Sequence, residues 1–327
     1  MTGNPYKNCA QCPRKCGADR KSGKTGVCGE TESLRAASAG LHFGEEPLIT
    51  VFGGSGTIFF TGCTLRCAFC QNYQISQQGM GAELSSSDFV RLCLELEKLG
   101  AENINLVTGS HAIPKIAEYL AKAKDAGLSI PVAWNSSAYE STESLELLRG
   151  LVDIWLPALK TLNADMSARL FGAEDYPATA KRAIRWMLES SPMKIAEIKK
   201  DGETKEKMLS GVIIRHLFLP GRMNDTVLTL DWLKAHADGK ACISLMSQYT
   251  PVDFSARKSA LSSFQNRLVN EAEDAELRKM IEEYDFEYLF YQDLSSDTDW
   301  LPDFSRSQPF SNALARPVWH FRDGFLL

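Results

Sequence analysis

The sequence predicts an α/β protein built on parallel strands, and three observations predict it. Short apolar runs alternate with longer amphipathic ones, the pattern of a sheet whose strands are joined by crossover helices. The apolar runs number six. Residues suited to chemistry cluster at their carboxyl ends, where the loops of a parallel sheet converge on one mouth.

The strands are expected at residues 57–62 (TIFFTG), 103–108 (NINLVT), 132–137 (VAWNSS), 154–160 (IWLPALK), 212–220 (VIIRHLFLP) and 243–248 (ISLMSQ). Helices are expected at 87–99, which has a serine cap and Gly100 behind it, and at 114–126, which opens on Pro114 and stops at Gly127. Further helices are expected at 142–148, 179–189 and 226–236. The mixed-charge stretch 194–207 has no apolar period and reads as a solvated loop.

With 327 residues, 44% hydrophobic and 24% charged, the chain can bury a sizeable core. A net charge of -5 argues against nucleic-acid binding through a broad basic surface. No stretch approaches the roughly eighteen apolar residues of a membrane span, and the start lacks the apolar core of a signal peptide. The expectation is a cytoplasmic chain with no membrane partner. A reducing compartment disfavours disulfides and turns closely spaced cysteines into candidate metal ligands.

Seven of nine cysteines fall in two groups. The first, Cys9, Cys12, Cys16 and Cys28, lies in a stretch rich in Lys, Arg, Gly and Ser that cannot bury a core of its own. Four thiolates complete either a zinc site or a second, fully ligated 4Fe-4S cluster; the alternative is four free thiols in a mobile arm. The second group is Cys63, Cys67 and Cys70, in GCTLRCAFCQNYQIS directly after the first strand. Three thiolates on one tight loop suit three irons of a cubane cluster. A zinc site would want a fourth ligand, and no further cysteine is near; between Leu41 and Ser110 the sole histidine is His42.

This segment resembles the signature of the radical S-adenosylmethionine (SAM) superfamily, in which an aromatic residue precedes the last cysteine, as Phe69 does here. Residues 42–76, then NINLVT, WNSSAYES, IWLPALK, IRHLFLPG and SLMSQYTP, are similar to the branch related to pyruvate formate-lyase activating enzymes, as is CAQCPRKCGADRKSGKTGVC. The likeness runs over about residues 5–255. It implies a partial (β/α)6 TIM-type barrel at 51–255, with a Cys-rich arm at 1–50 and a carboxyl-terminal extension at 256–327. It also implies a 4Fe-4S cluster on Cys63, Cys67 and Cys70, one iron being left open for SAM, and a low-potential donor of the flavodoxin or ferredoxin type.

The activity the resemblance implies is reductive cleavage of SAM to a 5'-deoxyadenosyl radical that abstracts hydrogen from a protein or peptide. A small-molecule substrate is the alternative. A non-enzymatic iron-sulfur interaction protein would need a saturated site, which three cysteines do not provide.

The resemblance also assigns cofactor contacts. The backbone of Phe69 would lie near the adenine. Thr108, Gly109 and Ser110 stand where the family carries a Gly-Gly-Glu that receives the SAM ammonium, so the carboxylate is absent here. Asn135, Ser136, Ser137 and Ala138 match an Asp-Thr-Asn-Gly, and Ala158 to Lys160 match an Asp-Leu-Lys, so both aspartates are absent too. Lys160, at the end of a buried strand, needs an anionic partner, either the SAM carboxylate or a structural ion pair.

Arg215 and His216 are adjacent in the fifth strand, so alternation puts one on each face and only one can reach the cofactor carboxylate. Gln248 and Tyr249 are candidates for the substrate side. His111 reads as a loop histidine capping the next helix, and Cys93 and Cys242 as buried thiols. After Thr250 a charged helix at about 262–284 precedes a tail with Trp300, Phe304, Phe310, Trp319, Phe321 and Phe325. That tail is expected to cover an edge strand or the lower opening, with a docking surface for a substrate protein as the alternative.

Overall fold

The computed structural model describes residues 4–252, 258–294 and 301–326. The expected boundary near residue 255 and Trp300 lie outside the described residues. The chain opens with the cysteine segment and enters β1 (Arg35–His42), α1 (Pro47–Thr50), β2 (Ser55–Phe60), α2 (Tyr73–Ser76) and β3 (Ala82–Glu83). It continues through α3 (Ser86–Lys98), β4 (Ile104–Val107), α4 (Ile113–Asp125), β5 (Val132–Ser136), α5 (Thr142–Glu146) and β6 (Ile154–Pro157). Next come α6 (Ala164–Phe171), α7 (Tyr176–Ser190), β7 (Lys194–Lys200), β8 (Glu203–Leu217), α8 (Met223–His236) and β9 (Cys242–Met246). The last elements are α9 (Lys258–Leu261), α10 (Glu271–Tyr284), β10 (Leu289–Gln292), β11 (Ala315–His320) and β12 (Gly324–Phe325).

The six expected strands form the parallel run β2, β4, β5, β6, β8, β9 in neighbouring order, and β10 extends it in parallel. On the other side β1 pairs antiparallel with β2, and β11 with β1. The curled sheet is unclosed, its path running from β10 at one edge to β12 at the other. The helices form as their sequences dictate. Ser85 caps α3 by accepting from the Asp88 amide, and Phe89, Leu92, Cys93 and Leu96 make its buried stripe. That helix layer and the outward face of the strands form the main core, with Trp134 and Trp155 fully buried in it.

Three expectations are corrected. Residues 194–207 are a β-hairpin, not a loop: β7 pairs with the first half of β8 from Lys194 to Lys200. The turn is Asp201-Gly202, both at positive φ (51° and 85°), the backbone that a two-residue hairpin requires. The hairpin packs Met193, Ile195 and Met208 against Leu48, Ile49 and Ile213. Two of its lysines are engaged, Lys207 with Glu102 at 2.8 Å and Lys205 with the Val51 carbonyl at 3.0 Å.

The expected helix at 262–284 starts instead at Glu271, because Asn270 and Glu273 form a reciprocal capping box. The third correction concerns His111, which caps nothing: α4 begins after Ala112 with no side-chain cap, and both ring nitrogens of the buried His111 lack a partner.

The aromatic tail lies along β1 through β11, and Phe304 is fully buried against Phe59 at 5.5 Å. Phe310 stands 5.3 Å from Phe59 and edge-on to His42 at 4.9 Å.

Candidate active site

A cavity of about 340 Å³ opens at the carboxyl ends of the parallel strands. Cys63, Cys67 and Cys70 all line it. Their loop leaves β2 through Gly62 at φ 85°, where a Cβ would lie 2.3 Å from the Glu30 side chain, so only glycine allows the turn. The loop then curls on itself. The Leu65 and Arg66 amides point at the Cys63 sulfur (3.4 and 3.5 Å), and Cys70 Sγ lies 3.3 Å from Ser76 Oγ.

Burial pushes all three thiols up, and Lys160 opposes that shift for each. Lys160 lines the same cavity, 5.9 Å from the centre of the Phe69 ring, and forms no ion pair among the described residues.

The donor set matches an iron-sulfur cluster with an open corner: three soft thiolate sulfurs, amide donors aimed at one of them, and a lysine ammonium lining the same cavity. Among the described residues, no group of three or more His, Cys, Asp or Glu side chains is arranged to hold a single metal ion. A cluster spreads its ligands more widely than one ion does.

Of the residues expected at the cofactor, Phe69, Thr108, Asn135, Ser137, Lys160 and Arg215 line the cavity. Phe69 is held edge-on by Phe171, Tyr249 and Phe264 at 6.0 to 6.3 Å. Thr108 takes a positive φ of 64° at the end of its strand. Three do not line the cavity.

Gly109 is packed under Ile116 and Trp134, where a Cβ would come within 2.6 Å of the former. Ser110 turns inward and donates to Glu140 at 2.5 Å. His216 faces the helix layer, bonded to the Leu159 carbonyl at 2.7 Å and to Thr226 of α8 at 3.0 Å; burial holds it neutral. Alternation thus sends Arg215 inward and His216 outward. Gln248 lines the cavity, whereas Tyr249 supports Phe69 from behind.

Several site residues escaped the sequence reading. Arg215 pairs with Glu45 at 3.0 Å and approaches Glu46 at 3.9 Å, and it also donates to Asn135. Glu45 and Glu46 directly precede Pro47, and adjacent charges before a proline give no signal of burial. Burial pushes the Glu46 carboxyl up, and Arg215 opposes it. Glu140, likewise raised by burial, is not part of the cavity lining; from the loop after β5 it accepts from the Ser110 hydroxyl behind the site. His42, Phe310 and Leu314 also line the cavity, the last two from the carboxyl-terminal stretch.

In the amino-terminal segment Cys9, Cys12 and Cys28 are buried and Cys16 is exposed. The segment is packed on the barrel, with Tyr6 and Arg20 fully enclosed.

A model of the Radical SAM superfamily matches residues 57–210. An uncharacterized protein of Methanocaldococcus jannaschii, MJ0674, is 31% identical over 255 residues, which cover 76% of this chain and 68% of that protein. Among solved structures, Streptococcus suis SuiB bound to precursor peptide SuiA aligns with a TM-score of 0.48 and 11% identity, over 72% of this chain and 47% of SuiB. The chain thus spans about half the length of SuiB. Methylornithine synthase (PylB) aligns with a TM-score of 0.48 and 13% identity, over 74% of this chain and 71% of the synthase.

Proposed function

Since the chain belongs to the radical SAM superfamily, an iron-sulfur cluster and SAM are its cofactors, and we propose that Cys63, Cys67 and Cys70 hold that cluster with one iron left for SAM. The observation that carries this reading is three thiols of one loop facing one cavity across from Lys160. When bound, the cluster supplies one electron to the SAM sulfonium, and cleavage yields methionine and a 5'-deoxyadenosyl radical that removes hydrogen from the substrate.

The chain's own part is to bind, orient and exclude water. Lys160 donates to the methionine carboxylate, its charge being free of any carboxylate among the described residues. Ser137 and the Asn135 amide offer further hydrogen bonds, and the braced Phe69 holds its backbone toward the adenine. Arg215, already matched by Glu45 and Glu46, belongs to the substrate side of the cavity and not to the cofactor carboxylate.

The motif likeness to activating enzymes supports an oxidoreductase-type reaction that removes hydrogen from a protein or peptide. A second reading, a small polar substrate, is favoured by Glu45, Arg215, Gln248 and Gln292 in the same cavity. A flavodoxin or ferredoxin would supply the electron.

The test is anaerobic. Protein reconstituted with iron and sulfide, reduced and given SAM should form 5'-deoxyadenosine, and Cys67→Ala should form none. Wild-type protein that forms none while its cluster is intact overturns the proposal. Adding the protein fraction or the low-mass fraction of a cell extract separates the two substrate readings, since the true substrate raises 5'-deoxyadenosine above the uncoupled rate.

A further inference from the structure

The cysteine segment ahead of β1 is folded back on itself. The Cys9 amide donates to the Ala18 carbonyl at 3.1 Å, Gly17 donates to Cys9 at 3.0 Å, and Gly26 to Glu30 at 3.3 Å. These turns bring sulfurs from its two ends together. A Cβ on Gly26 would lie 3.1 Å from Cys16 Sγ and 3.5 Å from Cys28 Sγ, so the glycine leaves room for both. Three of the four thiols are nearly out of solvent, in a segment with almost no aliphatic side chains to bury.

Arg20 is the second, independent observation. It is 1% exposed, stacked on the Tyr6 ring at 4.7 Å, with Nη1 3.6 Å from Cys9 Sγ. Among the described residues it pairs with no carboxylate, and Glu30 beside it is taken by Arg35 at 3.1 Å. The one Glu30 carboxylate is shared between Arg20 and Arg35, which leaves a buried positive charge unbalanced, and neutral thiols do not balance it. Four metal-bound thiolates do, because a zinc ion or a 4Fe-4S cluster held by four cysteinates keeps a net negative charge.

We propose that Cys9, Cys12, Cys16 and Cys28 form a four-thiolate metal centre balanced by Arg20, and that this centre braces the Cys63–Cys70 loop. The sulfurs are not drawn in around a single point, so they close on the metal when it binds. The brace is built from the same residues. The Cys28 carbonyl accepts from the Cys63 amide at 3.3 Å. Arg14, between Cys12 and Cys16, donates to the Thr64 carbonyl at 2.9 Å, to Leu65 at 3.3 Å and to Phe171 at 2.7 Å. Arg20 donates to the His111 carbonyl at 2.7 Å, on the loop that follows β4. Groups beside a metal's ligands fix their orientation and so the lifetime of the site.

The test uses the full chain with Cys63→Ala, Cys67→Ala and Cys70→Ala together. After purification it should hold zinc, or after anaerobic reconstitution iron and sulfide in equal amounts, and which metal it holds identifies the centre. Adding Cys9→Ser and Cys28→Ser should abolish it. A folded triple variant with neither metal overturns the proposal. If that variant does not fold, wild-type protein decides: zinc or iron beyond one 4Fe-4S cluster supports the centre, and neither overturns it.

For the brace, Cys12→Ser in the reconstituted enzyme should lose the iron of the Cys63–Cys70 cluster to a chelator about tenfold faster than wild type. An unchanged rate overturns it. Neither readout depends on SAM cleavage, so failure here is distinguishable from failure of the enzyme reading.

Discussion

Arg215 Nη1 meets Glu45 Oε2 at 3.0 Å across the floor of the cavity, which ties the fifth strand of the parallel run to the loop after β1. With Glu46 behind it, the guanidinium separates two carboxylates that would otherwise be buried together. Arg215→Ala should therefore destabilise the fold by about 3–5 kcal/mol in urea unfolding. Combining Arg215→Met with Glu45→Gln and Glu46→Gln should recover most of that loss. A single variant as stable as wild type would mean the pair is solvated.

Lys160 makes a separable prediction, because it faces the thiols but is not a ligand. Lys160→Met should leave iron and sulfide content unchanged and weaken SAM binding about tenfold, or ~1.4 kcal/mol, by isothermal titration. Equal affinity in the variant would place the cofactor carboxylate elsewhere.

Acid should destabilise the protein through histidines buried neutral. Burial, then the nearby Arg20, hold His111 down to about 3, and burial likewise lowers His216. An unfolded histidine titrates near 6.5, so between about pH 6.5 and 3 the unfolded chain takes up protons that the folded chain refuses. Stability is full above the unfolded value and falls as pH drops, by up to ~1.4 kcal/mol per pH unit for His111. In His111→Phe the slope of stability against pH should be shallower by that amount; the same slope in both proteins would contradict the assignment.

Cys93 serves as a control. It is fully buried in the stripe of α3, away from both cysteine groups. Cys93→Ala should cost about 1–2 kcal/mol for the small void it leaves and leave the iron content of the reconstituted protein unchanged. A loss of iron would show that the thiol is used.

How much of this was legible follows from where each signal lies. The parallel run was readable because each strand is a short, mostly apolar run bounded by turn residues, as in INLV before Thr108. The three-cysteine loop was readable because its ligands are local in sequence. The hairpin β7–β8 was missed although Asp201-Gly202 announces it, because its flanking strands are charged and carry one apolar face only in part. β1 and β11 were missed because strands joined through residues far apart in sequence leave no local pattern. The floor of the cavity was illegible for the same reason: Glu45, Asn135 and Arg215 meet only after three separate elements fold together.

The most direct test of the central claim is electron paramagnetic resonance of the reduced, reconstituted enzyme before and after SAM. An open iron among Cys63, Cys67 and Cys70 predicts that SAM changes the cluster signal, and that methionine carboxylate labelled with oxygen-17 adds a hyperfine coupling to it. A signal indifferent to SAM, from a cluster shown to be intact, would contradict the account.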